Sequence, residues 1–300
     1  MAVEKQWAGT TYGNGLMHRW LIRVLRWMDV RMLYAFSALF IVPVCLLLNA
    51  SRRIIYRYFR QRQGYGRLKA AWQTYKNHCL FSQVVIDRFA MYAGKRFAID
   101  IDGLDHFRQL AAKPEAFMLL SAHIGNYELA GYSLVSDSKP INALVFFGEK
   151  QSVMQHREEM FADTHVRMIP ASQDMSYLFQ IDYAIGQGEI ISMPADRLFG
   201  SSKTIGVTLL GAEASLPLGP FSVATMRGLD VLAVNVMKIG MRHYRIHVTP
   251  LSYDCQAPRK QQMQQLATAY AAELNRMLTM YPAQWYNFFD FWQPRQSASR

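Results

Sequence analysis

The residues best suited to chemistry sit in one short stretch, Ser121-Ala122-His123-Ile124-Gly125-Asn126-Tyr127-Glu128, directly after the apolar run Phe117-Met118-Leu119-Leu120. A neutral imidazole, with a pKa of about 6.5 in water, can take a proton from an alcohol as that alcohol attacks an acyl carbon. A carboxylate behind the ring fixes its tautomer and stabilises the imidazolium that forms. His123 is the candidate base here and Glu128 its candidate partner. The incoming hydroxyl is then itself the nucleophile, so direct acyl transfer needs no serine or cysteine of the protein. Gly125 permits a tight turn, and the amides near Gly125, Asn126 and the following helix start are candidates for holding a developing oxyanion. Spacing alone does not separate this reading from an ordinary polar contact at a strand end.

Elements that could position such a pair follow from the hydrophobic pattern. Residues Arg67 to Tyr92 read as helix, with Leu68, Trp72, Tyr75 and Leu80 near helical spacing. After Gly103 short apolar strands alternate with amphipathic helices, which predicts an α/β sheet with parallel connections. The expected strands are Phe117 to Ser121, Ile141 to Phe147, Val166 to Ile169, Glu189 to Met193, Thr204 to Leu210, Val231 to Met237 and Tyr244 to Thr249. The expected helices are Tyr127 to Ser136, Val153 to Asp163, Met175 to Gly186, Phe221 to Arg227 and Gln261 to Met280. In the last, Met263, Leu266, Tyr270, Leu274 and Met277 form a stripe at 3.6-residue spacing, the mark of a core-facing helix.

Composition narrows the setting. The 300 residues are 51% hydrophobic and carry a net charge of +11, which suits an anionic partner, either nucleic acid or an anionic bilayer. Position decides between these. Between Arg31 and Arg52 lie twenty uncharged residues with an apolar heart from Met32 to Leu48, interrupted by Pro43. That is long enough to span a hydrocarbon core of about 30 Å; an interfacial helix kinked at Pro43 or a buried helix are the alternatives. Its flanks are basic, with Arg19, Arg23, Arg26 and Arg31 upstream and Arg52, Arg53, Arg57, Arg60, Arg62, Arg67 and Lys69 downstream. Charge gathered around an apolar leader, and not among nucleic-acid motifs, points to a membrane and not to nucleic acid. The larger downstream count favours a cytoplasmic catalytic domain. The chain divides on this reading into a membrane-associated region, 1–66, and a catalytic domain, 67–300. Cys45, Cys79 and Cys255 are too scattered for a disulfide framework or zinc knuckle.

Several other residues have two readings each. Asp196 and Arg197 stand at a strand end where substrate groups gather in open α/β sheets, or form a structural ion pair. Lys150 and Arg167 could bind phosphate or another anionic partner, or are solvated charges. The aromatic run Tyr281, Trp285, Tyr286, Phe288, Phe289, Phe291 and Trp292 suits either a bilayer interface or packing against the N-terminal helices. The sequence has no HExxH, no paired CxxC, no Walker A loop and no GxGxxG, so no metal or other cofactor is expected. Ser133 lies in Gly-Tyr-Ser-Leu-Val, without the closing glycine of a serine hydrolase elbow.

His123-Ile-Gly-Asn-Tyr-Glu128 after an apolar strand resembles the H-x4-D/E motif of the lysophospholipid acyltransferase superfamily, and its form is similar to the late (lauroyl or myristoyl) acyltransferases of lipid A biosynthesis. Later stretches follow in the same order. Gln187-Gly188-Glu189-Ile190-Ile191 with Pro194-Ala195-Asp196-Arg197 resembles the family's Gly-Glu strand ending in an Asp-Gln or Asp-His pair, with Arg197 in place of the usual second residue. Leu216-Pro217-Leu218-Gly219-Pro220 resembles the Pro-x-Gly turn that opens a helix beneath the acceptor site, and Pro282-Ala283-Gln284-Trp285-Tyr286 the closing Pro-x-Gln-Trp. The resemblance spans about residues 30 to 290. It implies a mixed, largely parallel sheet flanked by helices, an N-terminal membrane helix, an acyl carrier protein or acyl-CoA thioester as donor and a lipid-anchored hydroxyl as acceptor, at the bacterial inner membrane. It places His123 and Glu128 in catalysis, and Gly219 near the acceptor. Where the lipid A enzymes carry an Arg-Pro-like element, this chain has Phe147-Gly148-Glu149-Lys150-Gln151, which leaves the phosphorylated acceptor open. A glycerophospholipid acceptor, or a non-catalytic lipid-binding scaffold on the same fold, are the competing readings.

Overall fold

Seven of the strands form a single sheet: Ala98–Asp102 (β1), Phe117–Ser121 (β2), Ile141–Phe146 (β3), Val166–Ala171 (β4), Ile190–Pro194 (β5), Asp230–Gly240 (β8) and His243–Leu251 (β9). Their order is β1-β9-β8-β2-β5-β3-β4. Thr204–Leu209 (β6) and Ala212–Pro217 (β7) make a separate antiparallel hairpin. The structure is a computed structural model describing residues 15–136, 138–146, 165–171, 176–197 and 203–292. All neighbours in the large sheet are parallel except β8 and β9.

Strand β2 shows why the sheet forms. Phe117 and Leu119 pack on one face with Ile190, Leu232, Val234 and Ile246, while Met118 and Leu120 pack on the other with Ile191, Met193, Val231 and Ala233. A parallel strand covered on both faces needs an unbroken apolar run, and this one has it. Helices Tyr177–Gly186 (α7), Leu218–Met226 (α8) and Arg259–Met280 (α9) lie on the second face, and the stripe of α9 is buried there at Leu266, Tyr270, Leu274 and Met277. The mixed, largely parallel α/β class expected from the sequence is the class observed.

Some boundaries differ, each for a local reason. Strand β6 stops at Leu209 because Leu210 (φ 49°) and Gly211 (φ 74°) form the two-residue hairpin turn. The helix expected from Tyr127 to Ser136 is a 3-10 turn, Tyr127–Leu129, followed by Ala130–Ser133 (α6); Leu134 then leaves helical geometry and drops into the core. Strand β1 carries no sequence signal because two of its five residues are aspartates, and these face polar partners on β9. Asp100 pairs with His243 Nε2 at 3.1 Å and Arg245 at 3.0 Å, and Asp102 with His247 Nδ1 at 3.3 Å. Leu104–Ala111 (α5) was likewise unexpected. The helix expected at 153–163 lies outside the described residues.

Ahead of the sheet come Gly15–Trp27 (α1), the apolar helix Val30–Leu48 (α2), Ser51–Arg57 (α3) with its continuation Tyr58–Arg62, and Arg67–Tyr92 (α4). Residues Ser37–Ile41 of α2 widen into a π-helical turn just before Pro43, which lacks the N–H an α-helix would use there. One face of α2 packs along α4: Tyr34 donates to Asp87, Ser37 Oγ meets Ser82 Oγ at 2.5 Å, and Tyr75 donates to the Ala38 carbonyl at 2.9 Å. Leu39, Phe40, Val44, Leu47 and Leu48 face outward, exposed. The C-terminal aromatic run packs on the turn that continues α3, with Tyr58 4.7 Å from Trp285 and Trp285 4.9 Å from Trp292 between ring centres.

Candidate active site

His123 and Asp196 lie just beyond the C-terminal ends of neighbouring parallel strands. Ser121 of β2 is in register with Pro194 of β5, and the Ala195 amide donates to the Ser121 carbonyl at 2.9 Å. This is where open α/β sheets gather ligand-handling groups. The Asp196 carboxylate grips the histidine twice. Its Oδ1 is 2.7 Å from His123 Nδ1, and its Oδ2 accepts the His123 amide at 2.8 Å. A third donor, Asn287 Nδ2, reaches Oδ2 at 3.3 Å. The Asp196 side chain is 2% exposed and that of His123 16%. Burial pushes the Asp196 carboxyl up, but the His123 and Arg197 charges and the two His123 hydrogen bonds outweigh it and hold the pKa at about 2. An ionised carboxylate at Nδ1 places the ring proton there and leaves Nε2 with the lone pair, as a base needs. The exposed Tyr127 ring stands at 62° to the imidazole, 5.2 Å between centres.

The expected partner, Glu128, is held elsewhere. The 3-10 turn after Asn126 directs its buried carboxylate toward α4, where Arg88 Nε lies 2.6 Å away and the Tyr92 hydroxyl donates at 2.7 Å. The carboxylate at Nδ1 is thus Asp196, 73 positions along the chain from His123, and a separation of that size gives no spacing signal.

Gly125 occupies the left-handed region at φ 56°, and a Cβ there would lie 1.9 Å from the Val236 carbonyl oxygen, so only glycine fits. The close approach has a purpose in the backbone. The Gly125 amide donates to the Gln284 carbonyl and the Asn126 amide to the Val236 carbonyl, both at 2.8 Å. These two amides are engaged within the protein, which corrects the expectation that they would face an oxyanion. The Asn126 side chain is buried and lies beside Tyr244. Gln284 completes the clamp: its side chain accepts from the Lys238 amide at 2.9 Å and donates to the Lys238 carbonyl at 2.7 Å. The Tyr286 amide donates to the His123 carbonyl at 3.2 Å. Asn77 of α4 ties the segment from beneath by donating to the Ala283 and Trp285 carbonyls.

Arg197, expected at the substrate, donates Nε to Asn287 Oδ1 and a terminal nitrogen to the Tyr286 carbonyl, both at 3.0 Å. Burial pulls its pKa down while Asp196 pulls it up. Arg167 sits near the start of β4, at the far end of the strands from His123, and pairs with Glu189 at 2.9 Å. Gly219 lies exposed in the first turn of α8 with open space around it. Lys150 lies outside the described residues. Among the described residues no three His, Cys, Asp or Glu side chains converge as metal ligands would. Asn287 and the Gln284 clamp were not assigned from the sequence; the Pro-Ala-Gln-Trp block marked their neighbourhood, but nothing in it indicated that it pairs with the His123 turn.

A buried aspartate orienting a part-exposed histidine, at the C-terminal edge of a largely parallel sheet, suits activation of a hydroxyl for acyl transfer. A family model described as bacterial lipid A biosynthesis acyltransferase matches residues 88–293, well over half of the chain. This match defines the protein as an acyltransferase of membrane lipid biosynthesis, and hence as membrane-associated. It belongs to the bacterial lipid A biosynthesis acyltransferase family. Among solved structures it is similar to the crystal structure of the 1-acyl-sn-glycerophosphate (LPA) acyltransferase PlsC from Thermotoga maritima, at 12% identity and a TM-score of 0.39, over 90% of this chain and 100% of that one. Comparison with curated protein sequences gives no match.

Proposed function

We propose that the protein moves a fatty acyl chain from an acyl carrier protein or CoA thioester to a hydroxyl of a lipid A-type or related lipid, with His123 as general base. The observation that carries this reading is the 2.7 Å contact between Nδ1 of the part-exposed His123 and buried Asp196, which engages one ring nitrogen and leaves Nε2 for the acceptor hydroxyl. Nε2 takes the acceptor's hydroxyl proton as its oxygen attacks the thioester carbonyl. The tetrahedral intermediate then collapses, the C–S bond breaks, and the imidazolium returns the proton to the departing thiolate. Asp196 is the orienting carboxylate in this scheme. Glu128, anchored by Arg88 and Tyr92, supports the turn that carries His123. Lys150 is a candidate contact for the anionic part of the donor.

The same reading puts residues 1–66 at the bacterial inner membrane and the 67–300 catalytic domain on its cytoplasmic side. The packing of α2 along α4, with Leu39, Phe40, Val44, Leu47 and Leu48 turned outward, supports an in-plane helix seated in one leaflet over a spanning one. Purified protein incubated with labelled acyl carrier protein thioester and extracted membrane lipid should yield labelled lipid, and hydrolytic release of free fatty acid should be minor. Mass spectrometry of lipids from cells with and without the protein would then name the acceptor, lipid A-type or glycerophospholipid. Free fatty acid as the sole labelled product would overturn acyl transfer to a lipid hydroxyl.

A further inference from the structure

The C-terminal segment contributes more than backbone ties. Asn287 is 1% exposed and its side-chain amide is used at both ends: Nδ2 donates to Asp196 Oδ2 at 3.3 Å, and Oδ1 accepts from Arg197 Nε at 3.0 Å. The Arg197 contact settles which way the amide faces, because a guanidinium can only donate. With Oδ1 fixed on Arg197, the Nδ2 donor must point at Asp196. Arg197 is itself held by the Tyr286 carbonyl at 3.0 Å, and the Tyr286 amide donates to the His123 carbonyl. Asp196, Arg197, Tyr286, Asn287 and His123 thus close a ring of hydrogen bonds around the carboxylate that orients the imidazole.

We propose that Asn287 is a positioning residue for the acyl-transfer reaction: held by Arg197, it donates to Asp196 Oδ2 and so keeps Oδ1 on His123 Nδ1. This rests on the proposed role of the His123–Asp196 pair. Without that donor, Oδ2 keeps only the His123 amide, and the carboxylate can rotate away from the ring nitrogen. An aspartate at the same position still accepts from Arg197 but sets a second carboxylate against Asp196, and so opposes the geometry more strongly than simple removal does. Neither change touches Nε2 or the exposed side of the ring, so the turnover step should suffer and substrate binding should not.

The test uses Asn287→Ala and Asn287→Asp in the full-length, detergent-solubilised protein, with His123→Ala as the reference. Three readouts are taken: kcat and KM for acyl transfer, Tm, and the tautomer of His123 by NMR of histidine-15N-labelled protein, its signals assigned by their loss in His123→Ala. The expected result is a kcat lower by about 10- to 100-fold, the effect of losing one charge-assisted hydrogen bond. KM should stay within about twofold, Asn287→Asp should be the more damaged variant, and the Nδ1–H tautomer dominant in the parent should give way to a mixture. A pure packing role would lower Tm while leaving the His123 tautomer unchanged in both variants, and that result overturns the proposal. If His123→Ala keeps full activity, the general-base reading falls instead, while the tautomer measurement still decides whether Asn287 positions the pair.

Discussion

At the scale of single residues, the division of labour between two buried carboxylates carries most of the account. Asp196 meets the ring nitrogen of His123, whereas Glu128 meets Arg88 and Tyr92. Asp196→Asn should therefore lower kcat by about a thousandfold or more, as losing the tautomer-fixing carboxylate does in acyl-transfer triads. The same aspartate gives a pH signature. Its folded pKa of about 2 lies below the unfolded value of about 3.9, so its contribution to stability is complete above about pH 4 and is lost as pH falls through about 2. The Tm gap between the parent and Asp196→Asn should accordingly narrow from pH 4 toward pH 2; a constant gap would show that the aspartate is not stabilised as an anion. Gly125→Ala is the steric counterpart. The new Cβ would overlap the Val236 carbonyl in a left-handed conformation, adding about 1–3 kcal/mol of backbone strain before the overlap is counted. Lower Tm together with reduced kcat is the expected outcome, read by thermal melts and the acyl-transfer assay.

At the scale of elements, the turn that carries His123 is a junction between β2, the edge of β8 and the 282–287 segment. Lys238 shows how far this junction reaches. Its backbone is clamped by Gln284, while its side chain pairs with Asp87 of α4 at 2.5 Å; Tyr34 of α2 and Tyr244 of β9 also donate to that carboxylate. Burial pushes the Lys238 ammonium down and the Asp87 carboxyl up, each opposed by the other's charge. Breaking one side of such a pair leaves an uncompensated buried charge. Lys238→Met and Asp87→Leu should each cost about 3–5 kcal/mol, and the double variant distinctly less than their sum; denaturant unfolding of the three variants measures the difference. Legibility in the sequence followed the same physics. The apolar run 117–120 announced β2, and the 67–92 periodicity announced α4, because each pattern is local. β1 was hidden by Asp100 and Asp102, whose partners His243, Arg245 and His247 lie far along the chain on β9. The Asp196 and Asn287 contacts were hidden for the same reason, since sheet order and the returning C-terminal segment, not spacing, bring them to His123.

At the scale of the molecule, charge and apolar surface sit together on the N-terminal helices. Arg19, Arg23, Arg26 and Arg31 are exposed alongside Trp20 and Trp27, and Arg53, Arg57 and Arg60 follow the outward apolar face of α2. That face packs against nothing among the described residues, and the opposite side of α2 is bonded to α4, which carries Asp87 and holds Glu128 through Arg88 and Tyr92. An apolar face set among arginines suits an anionic bilayer surface. Phe40→Glu with Leu47→Glu should shift the protein from membrane to soluble fractions while leaving Tm nearly unchanged, because both side chains are exposed; retention on membranes would remove α2 from the binding surface.

The central claim is that His123, oriented by Asp196 and not by Glu128, performs the transfer. The most direct measurement is the single-turnover rate of acyl transfer from a labelled carrier thioester to lipid for His123→Ala, Asp196→Asn and Glu128→Gln, each confirmed folded by its Tm. The account predicts no measurable transfer for His123→Ala, a loss of about a thousandfold or more for Asp196→Asn, and a clearly smaller loss for Glu128→Gln. Full activity in His123→Ala, or a Glu128→Gln defect larger than that of Asp196→Asn, would contradict it.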